Sequence, residues 1–281
     1  MAGTREDDEP IVREIDSGVA ELVPDRDVPG VWTLIVNGMA QSHVDLGDPT
    51  YLEFEYMRRL AHVVDLVAPP GVGLRALHLG AGALTLPRYV AATRPDSCQH
   101  VAEIDAALVE LVGAVLPVDS AWDLRIRLGD ARAVLVGAAG EAFDLVVSDV
   151  FAGARTPAHL TSVECVSHAA RALGPTGVFA VNVGDGGALA FARAQVATVR
   201  AVFPHVCVLA EPTVLRGRRF GNVVVVASRG TLPLVELTRR TAGDPFPGRV
   251  EHDESLTRFV GDARPVTDAT ATRSPSPPRR L

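Results

Sequence analysis

Apolar and polar positions alternate with the period of a β-strand near the start of the chain. The alternation runs over residues 11–45 and is clearest in Val-Trp-Thr-Leu-Ile-Val at 31–36. Asn37-Gly38 follows directly, a pair typical of the tight turn of a β-hairpin, and residues 39–45 can form the returning strand. The pattern predicts a small N-terminal β-hairpin module over residues 1–47.

From residue 48 the pattern changes to alternating helices and strands. Asp48-Pro49 is typical of a helix start, and apolar residues recur at helical spacing until Pro69-Pro70-Gly71. Short apolar runs, separated mainly by segments with helical periodicity, predict strands at 74–79, 98–104, 124–128, 143–148, 178–183, 205–210 and 222–227. Such alternation predicts a mostly parallel sheet covered on both faces. The last two runs lie too close together for a crossover helix, so the final strand is predicted to run antiparallel.

This order of elements is that of an α/β, Rossmann-like fold of the S-adenosylmethionine-type methyltransferase class, with a seven-stranded sheet over residues 48–231. The remaining residues, 232–281, lose periodicity and include the Ser/Pro-rich stretch TRSPSPP at 272–278. We predict a C-terminal extension that is disordered at its end.

Composition excludes several classes of protein. Hydrophobic residues make up 47% of the 281, which allows a large core, and the net charge of −7 argues against a nucleic-acid-binding surface. All 27 basic residues are Arg, so a Walker-A loop and a Schiff-base lysine are excluded. No run of 18 apolar residues occurs, and no signal peptide is visible, so we expect no membrane association. The three cysteines form no C-x-x-C pair and the histidines show no ligand spacing, which predicts a cytoplasmic protein without a metal.

Polar or small residues follow the first three strands of the predicted parallel sheet. Gly80-Ala81-Gly82 follows the first strand, where small residues let the backbone approach a ligand. Glu103 ends the second strand and can accept both hydroxyls of a ribose. Asp130, followed by Ala131, ends the third and can accept from an adenine amino group, although it could equally be a helix cap. Because parallel strands present their carboxyl ends at one edge, these residues together predict a nucleoside site.

Asp149 follows the apolar run 143–148. A carboxylate at the end of a buried strand is partly desolvated, which raises its pKa and suits a general base, whereas the alternative is a loop cap. The loop 150–159, rich in small residues, could be a mobile lid. We expect His159 in this loop to be a surface residue and His78, inside the first strand, to belong to the core.

Taken in order, these motifs resemble the spermidine synthase (polyamine aminopropyltransferase) family. The resemblance is carried by LHLGAGALTLPR at 77–88, AEID at 102–105, GDA at 129–131 and FDLVVSD at 143–149. Upstream, Asn37-Gly38 with Gln41 and the segment DPTYLE at 48–53 are similar to the family's hairpin and its D-E-x-x-Y-H-E segment. Downstream, 212–228 resembles its closing hairpin.

The resemblance implies an enzyme that transfers an aminopropyl group from decarboxylated S-adenosylmethionine to an amine such as putrescine and releases methylthioadenosine. Gly80, Ala81, Gly82, Glu103, Asp130 and Ala131 would bind the nucleoside. Asp149 would deprotonate the amine, and Gln41 and Tyr51 would line the amine pocket. Members of the family commonly form homodimers.

Three departures from the family pattern fall on the amine-facing side. Ala83 replaces the aspartate of the glycine loop, Ala152 replaces the second aspartate of D-x-x-D, and Leu52 replaces the histidine of Y-H-E. A cationic polyamine would be bound poorly without these groups. Two alternatives therefore stay open, an S-adenosylmethionine-dependent methyltransferase and a non-catalytic nucleoside-binding protein. The sequence most resembles a divergent, spermidine synthase-like branch of the family.

Overall fold

The computed structural model describes residues 9–140 and 142–278. Along the chain the elements are β1 (Ile11–Ile15), β2 (Gly18–Pro24), β3 (Val31–Val36), β4 (Met39–Asp45), α1 (Glu55–Val67), β5 (Arg75–Leu79), α2 (Thr85–Thr93), β6 (Cys98–Glu103), α3 (Ala106–Val115), β7 (Asp123–Leu128), α4 (Ala131–Gly137), β8 (Phe143–Ser148), α5 (Val163–Ala172), β9 (Leu173–Asp185), α6 (Ala190–Arg200), β10 (His205–Ala210), α7 (Pro212–Leu215), β11 (Gly221–Ser228), α8 (Leu234–Ala242), β12 (Arg249–Glu251) and α9 (Asp253–Val260).

The N-terminal strands form an antiparallel sheet of order β1-β2-β3-β4. The hairpin predicted at Asn37-Gly38 joins β3 to β4, and both turn residues have positive φ, 51° and 76°, as this kind of tight turn requires. Strands β1 and β2 extend the predicted hairpin to four strands. Asp105, at the start of α3, accepts hydrogen bonds from the backbone amides of Asp16 and Ser17 in the β1–β2 turn. The small sheet is thereby attached beside the carboxyl end of β6.

The main sheet has the strand order β12-β10-β11-β9-β8-β5-β6-β7. Neighbouring strands within the group β5 to β9 are all parallel to each other. Strand β11 lies between β9 and β10 and is antiparallel to both. The predicted α/β class and the antiparallel last strand are confirmed. The seven strands predicted over residues 48–231 are present as β5 to β11, and β12 of the C-terminal extension adds an eighth strand beside β10.

Strand β5 has β6 on one side and β8 on the other, although β8 comes three strands after β5 in the chain. The connections therefore diverge at the carboxyl end of β5 and leave a crevice there, which is where ligands bind in open parallel sheets. Helices α1, α2 and α8 bury apolar side chains on one face of the sheet, and α4, α5, α6 and α9 do so on the other. The crevice is thus held between two packed layers.

The C-terminal extension is ordered over its described part. Residues 232–261 contain α8, β12 and α9, and the segment up to Pro278 packs back on the body of the protein. Ser274 is fully buried, and its backbone amide donates to the carbonyl of Thr156 at 3.1 Å. The prediction of disorder is therefore wrong for residues 272–278, because partners distant in sequence satisfy polar groups that composition alone assigns to solvent. Residues 279–281 lie outside the described part.

Candidate active site

A cavity of about 750 Å³ opens at the carboxyl ends of β5, β6, β7 and β8. Eight of the nine residues predicted to form the site line it, namely Gln41, Gly80, Ala81, Gly82, Glu103, Asp130, Ala131 and Asp149. The remainder of the wall is largely apolar, as is usual for small-molecule sites. The crevice created by the sheet topology is therefore large enough for a nucleoside with an attached chain.

The glycine loop lies tightly between two other segments. Gly80 has φ of 91°, and a Cβ there would lie 2.4 Å from the backbone oxygen of Asp149. A Cβ on Gly82 would lie 2.5 Å from the hydroxyl of Ser42, which also accepts a hydrogen bond from the Ala83 amide at 3.0 Å. Both glycines are thus required for close packing as well as for positive φ. The same contacts bring β4, and with it Gln41, to the cavity.

Glu103 holds the backbone around the end of β6. Its Oε2 accepts from the Ala81 amide at 2.9 Å, and its Oε1 accepts from the amides of Ile104 and Asp105 at 2.8 and 3.0 Å. A carboxylate offers about four acceptor positions, so Oε2 keeps one for a hydroxyl on a ligand. A second hydroxyl can bind to Oε1 only if one of its two backbone donors gives way.

Asp130 caps α4 and also pairs with a histidine. Its Oδ1 accepts from the Ala133 amide at 3.0 Å, and its Oδ2 lies 2.7 Å from Nε2 of His159. Burial raises the pKa of Asp130, but the hydrogen bonds from Ala133 and His159 outweigh burial and hold the pKa below its ordinary value. Asp130 is therefore a helix cap, and it also lines the cavity. His159 is exposed, as expected from the sequence, and it also lines the cavity beside Asp130.

Asp149 forms a polar group with two residues that sequence reasoning missed. Its Oδ1 accepts from the amide nitrogen of Asn182 in β9 at 2.9 Å, and the hydroxyl of Tyr56 in α1 also donates to it. Burial raises the pKa of Asp149, and both hydrogen bonds counter that rise. Burial and the nearby carboxylate likewise raise the pKa of Tyr56 well above its ordinary value, so the phenol stays protonated as a donor. A carboxylate in this setting can accept a proton from a bound ligand.

The missed residues differ in how visible they were. Asn182 interrupts the apolar run of β9, and a polar residue in a central strand is a usable signal. Tyr56 lies among the apolar positions of α1 and looks like an ordinary core residue. Tyr51 was chosen instead, but it is 42% exposed, donates to Glu53 at 2.5 Å and does not line the cavity. The structure thus places the side chain of Tyr51 outside the cavity and Tyr56 in its wall.

Two further residues named from the sequence, Gln41 and His78, have defined surroundings in the structure. Gln41 lines the cavity and makes a long contact, 3.4 Å, to the carbonyl of Gly153. His78 is buried and bonded to Gln99 at 2.9 Å, and burial lowers its pKa to about 4. Among residues 9–140 and 142–278, no three His, Cys, Asp or Glu side chains are grouped as a metal site would need. Within the same ranges no helix is long and apolar enough to cross a membrane.

Comparison with solved structures identifies relatives for this arrangement. A probable spermidine synthase from Corynebacterium glutamicum superposes with a TM-score of 0.85 at 35% sequence identity, covering 91% of this chain and 95% of that one. The chain belongs to the spermidine synthase family. The family resemblance stated from the motifs is confirmed.

More distant structures share the fold. The spermidine synthase from Thermotoga maritima gives a TM-score of 0.59 at 20% identity, covering 92% of this chain and 81% of that one. Human methyltransferase-like protein 13, in complex with SAH, gives 0.55 at 20% identity, covering 75% of this chain and 95% of that one. Protein-family models and curated proteins give no match to the chain.

Proposed function

We propose that this spermidine synthase-like chain is a transferase that moves an aminopropyl group from decarboxylated S-adenosylmethionine to an amine. The observation that carries the proposal is the position of Asp149, which faces the same cavity as the glycine loop, Glu103 and Asp130. One cavity thus holds a proton acceptor together with groups suited to a nucleoside. The support from relatives is a spermidine synthase structure with the transition-state analogue AdoDATO, at 19% identity and a TM-score of 0.58, covering 89% of this chain and 83% of that one.

In the proposed reaction the amine nitrogen attacks the aminopropyl carbon next to the sulfonium. A C–N bond forms, the C–S bond breaks, and its electron pair stays on sulfur, so the nucleoside leaves as neutral methylthioadenosine. The amine loses one proton to Asp149, because a protonated nitrogen has no lone pair for the attack. Asn182 and Tyr56 donate to the carboxylate and hold it toward the cavity.

Binding of the nucleoside is proposed for the opposite side of the site. Glu103 would accept a ribose hydroxyl on its free Oε2 position, and Asp130 would accept from the adenine amino group. The glycine loop supports this proposal, because its packing leaves no side chain between the backbone and a ligand. Ala83, buried and apolar, offers no carboxylate to the aminopropyl ammonium. The donor would therefore be held mainly through its nucleoside.

The test is release of methylthioadenosine with putrescine, cadaverine or spermidine as acceptor. Wild type should release it, and Asp149→Asn, which keeps the shape but cannot act as base, should do so about 10²–10⁴-fold more slowly while still binding methylthioadenosine. Raising the pH should partly restore the variant by supplying free amine. Equal rates for the two proteins would refute the role of Asp149, and no release from wild type with any amine would refute the transferase proposal.

A methyltransferase remains the second candidate, and one observation favours it. Arg273 lines the cavity and could pair with the carboxylate of intact S-adenosylmethionine. Calorimetric titration with the intact and the decarboxylated compound distinguishes the two. Tighter binding of the decarboxylated form supports aminopropyl transfer, because a buried carboxylate without a partner is costly. Tighter binding of the intact form supports methyl transfer.

A further inference from the structure

The C-terminal segment 266–277 runs along the rim of the cavity and is anchored at its start. The Val266 amide donates to the hydroxyl of Thr198 at 2.8 Å, and its carbonyl accepts from Val163 at 2.8 Å. Asp268 accepts two hydrogen bonds from the guanidinium of Arg132, both at 2.7 Å, and one from Ser162 at 2.5 Å. A bidentate contact between a guanidinium and a carboxylate fixes the orientation of the Asp268 side chain as well as its position.

Further along, Ser274 joins the segment to the loop that follows Asp149. Its hydroxyl accepts from the Thr156 amide at 2.8 Å, its own amide donates to the Thr156 carbonyl at 3.1 Å, and its carbonyl accepts from Arg155 at 2.5 Å. Ser274 is fully buried. Because a buried amide without a partner is costly, Thr156 depends on Ser274 for its hydrogen bond.

The segment also lines the cavity and is connected to residues proposed to bind the ligand. Arg273 and Pro277 line the cavity, as Phe151 and Gly153 of the loop do. Arg132, which holds Asp268, donates as well to the carbonyl of His159 at 3.1 Å, and His159 pairs with Asp130. The segment is thus connected both to the loop next to Asp149 and to the carboxylate proposed for adenine.

We propose that segment 266–277 is part of the ligand site, with Ser274 as a positioning residue that fixes the loop 150–161 and with Arg273 and Pro277 closing the cavity over the ligand. The identity of the ligand, a thioadenosine nucleoside, rests on the proposed function. The position of segment 266–277 as a wall of the cavity, called the closing wall below, is supported by the hydrogen bonds of Ser274 and by the lining residues Arg273 and Pro277. The affinity for the nucleoside would then depend on segment 266–277.

The experiment compares paired variants by hydrogen exchange and by calorimetry. Ser274→Ala removes the acceptor for Thr156, and its matched control is Ser276→Ala, which changes the exposed serine two residues later. A chain that ends at Ala271 lacks Arg273, Ser274 and Pro277 and therefore lacks the closing wall. Its control is a chain that ends at Pro278. Unfolding temperatures should stay within a few degrees of wild type for all four.

Without any ligand, backbone exchange at Thr156 should be at least about tenfold faster in Ser274→Ala and in the chain ending at Ala271, while both controls match wild type. The Kd for methylthioadenosine should rise by about tenfold or more in the same two variants. Exchange as slow as in the controls would overturn the positioning role, and an unchanged Kd would overturn the closing wall. If wild type binds no methylthioadenosine, the proposed nucleoside function fails, whereas exchange still decides the role of Ser274.

Discussion

Replacing Asn182 by alanine tests whether this residue controls the protonation of Asp149. The amide of Asn182 donates to the carboxylate at 2.9 Å, and burial already raises the pKa of Asp149. Removing the donor destabilises the ionised form alone, so the pKa must rise further. A hydrogen bond to a charged group contributes about 1.5–3 kcal/mol, and 1.36 kcal/mol corresponds to one pKa unit. The expected rise in the variant relative to wild type is therefore about one to two units.

Two measurements follow this change. The acid limb of the pH profile of kcat/KM for methylthioadenosine release should move to higher pH by that amount, with values above the limb within a few-fold of wild type. The second is titration of the Asp149 carboxyl carbon by ¹³C NMR, which needs no substrate. Tyr56→Phe removes the other donor and should move the limb in the same direction.

The control is Asn222→Ala, which changes another amide of the cavity wall. Its acid limb should coincide with that of wild type. If Asn182→Ala also coincides with wild type in both measurements, the hydrogen bond does not tune Asp149 and the reasoning fails. A uniform loss of activity at every pH would point instead to a purely structural role for Asn182.

Three further predictions concern the same site. Glu103→Ala should weaken methylthioadenosine binding by about a hundredfold in calorimetry, and Glu103→Gln, which keeps one oxygen, should weaken it less. Equal affinity of wild type and Glu103→Ala would exclude the ribose contact. The unfolding temperature of Asp149→Asn should rise relative to that of wild type as the pH increases from 4 to 8. Burial raises the pKa of Asp149 in the folded protein, and a carboxyl with a raised folded pKa loses its stabilising contribution as the pH rises through that pKa. A difference in unfolding temperature that stays constant over this pH range would contradict the prediction. Gly80→Ala should unfold several degrees lower and turn over more slowly than its control, Gly71→Ala. Gly71 has a similar positive φ, but no atom lies within 4 Å of a Cβ added there. Similar losses of unfolding temperature and turnover in the two variants would show that the contact with Asp149 is unimportant.

Much of the architecture was readable from the sequence. Period-two alternation with Asn37-Gly38 predicted the β3–β4 hairpin, and the repeated strand–helix pattern predicted the α/β fold, because each pattern states which positions must be buried. The strand-end residues Glu103, Asp130 and Asp149 could also be predicted. Parallel strands linked by helices present their carboxyl ends at one edge, so residues far apart in the chain must meet there.

What remained undetermined depended on partners that no local pattern specifies. Helical periodicity marks Tyr56 as buried but does not say whether it faces the core or a cavity, and only the packing of α1 against β8 and β9 brings it to Asp149. Asn182 meets Asp149 because β9 lies beside β8 in the sheet. The segment around Ser274 has the composition of an unstructured tail, since Ser and Pro supply little apolar surface. Its order comes from hydrogen bonds to Thr156, more than a hundred residues away, and such long-range contacts exist only once the rest of the chain has folded.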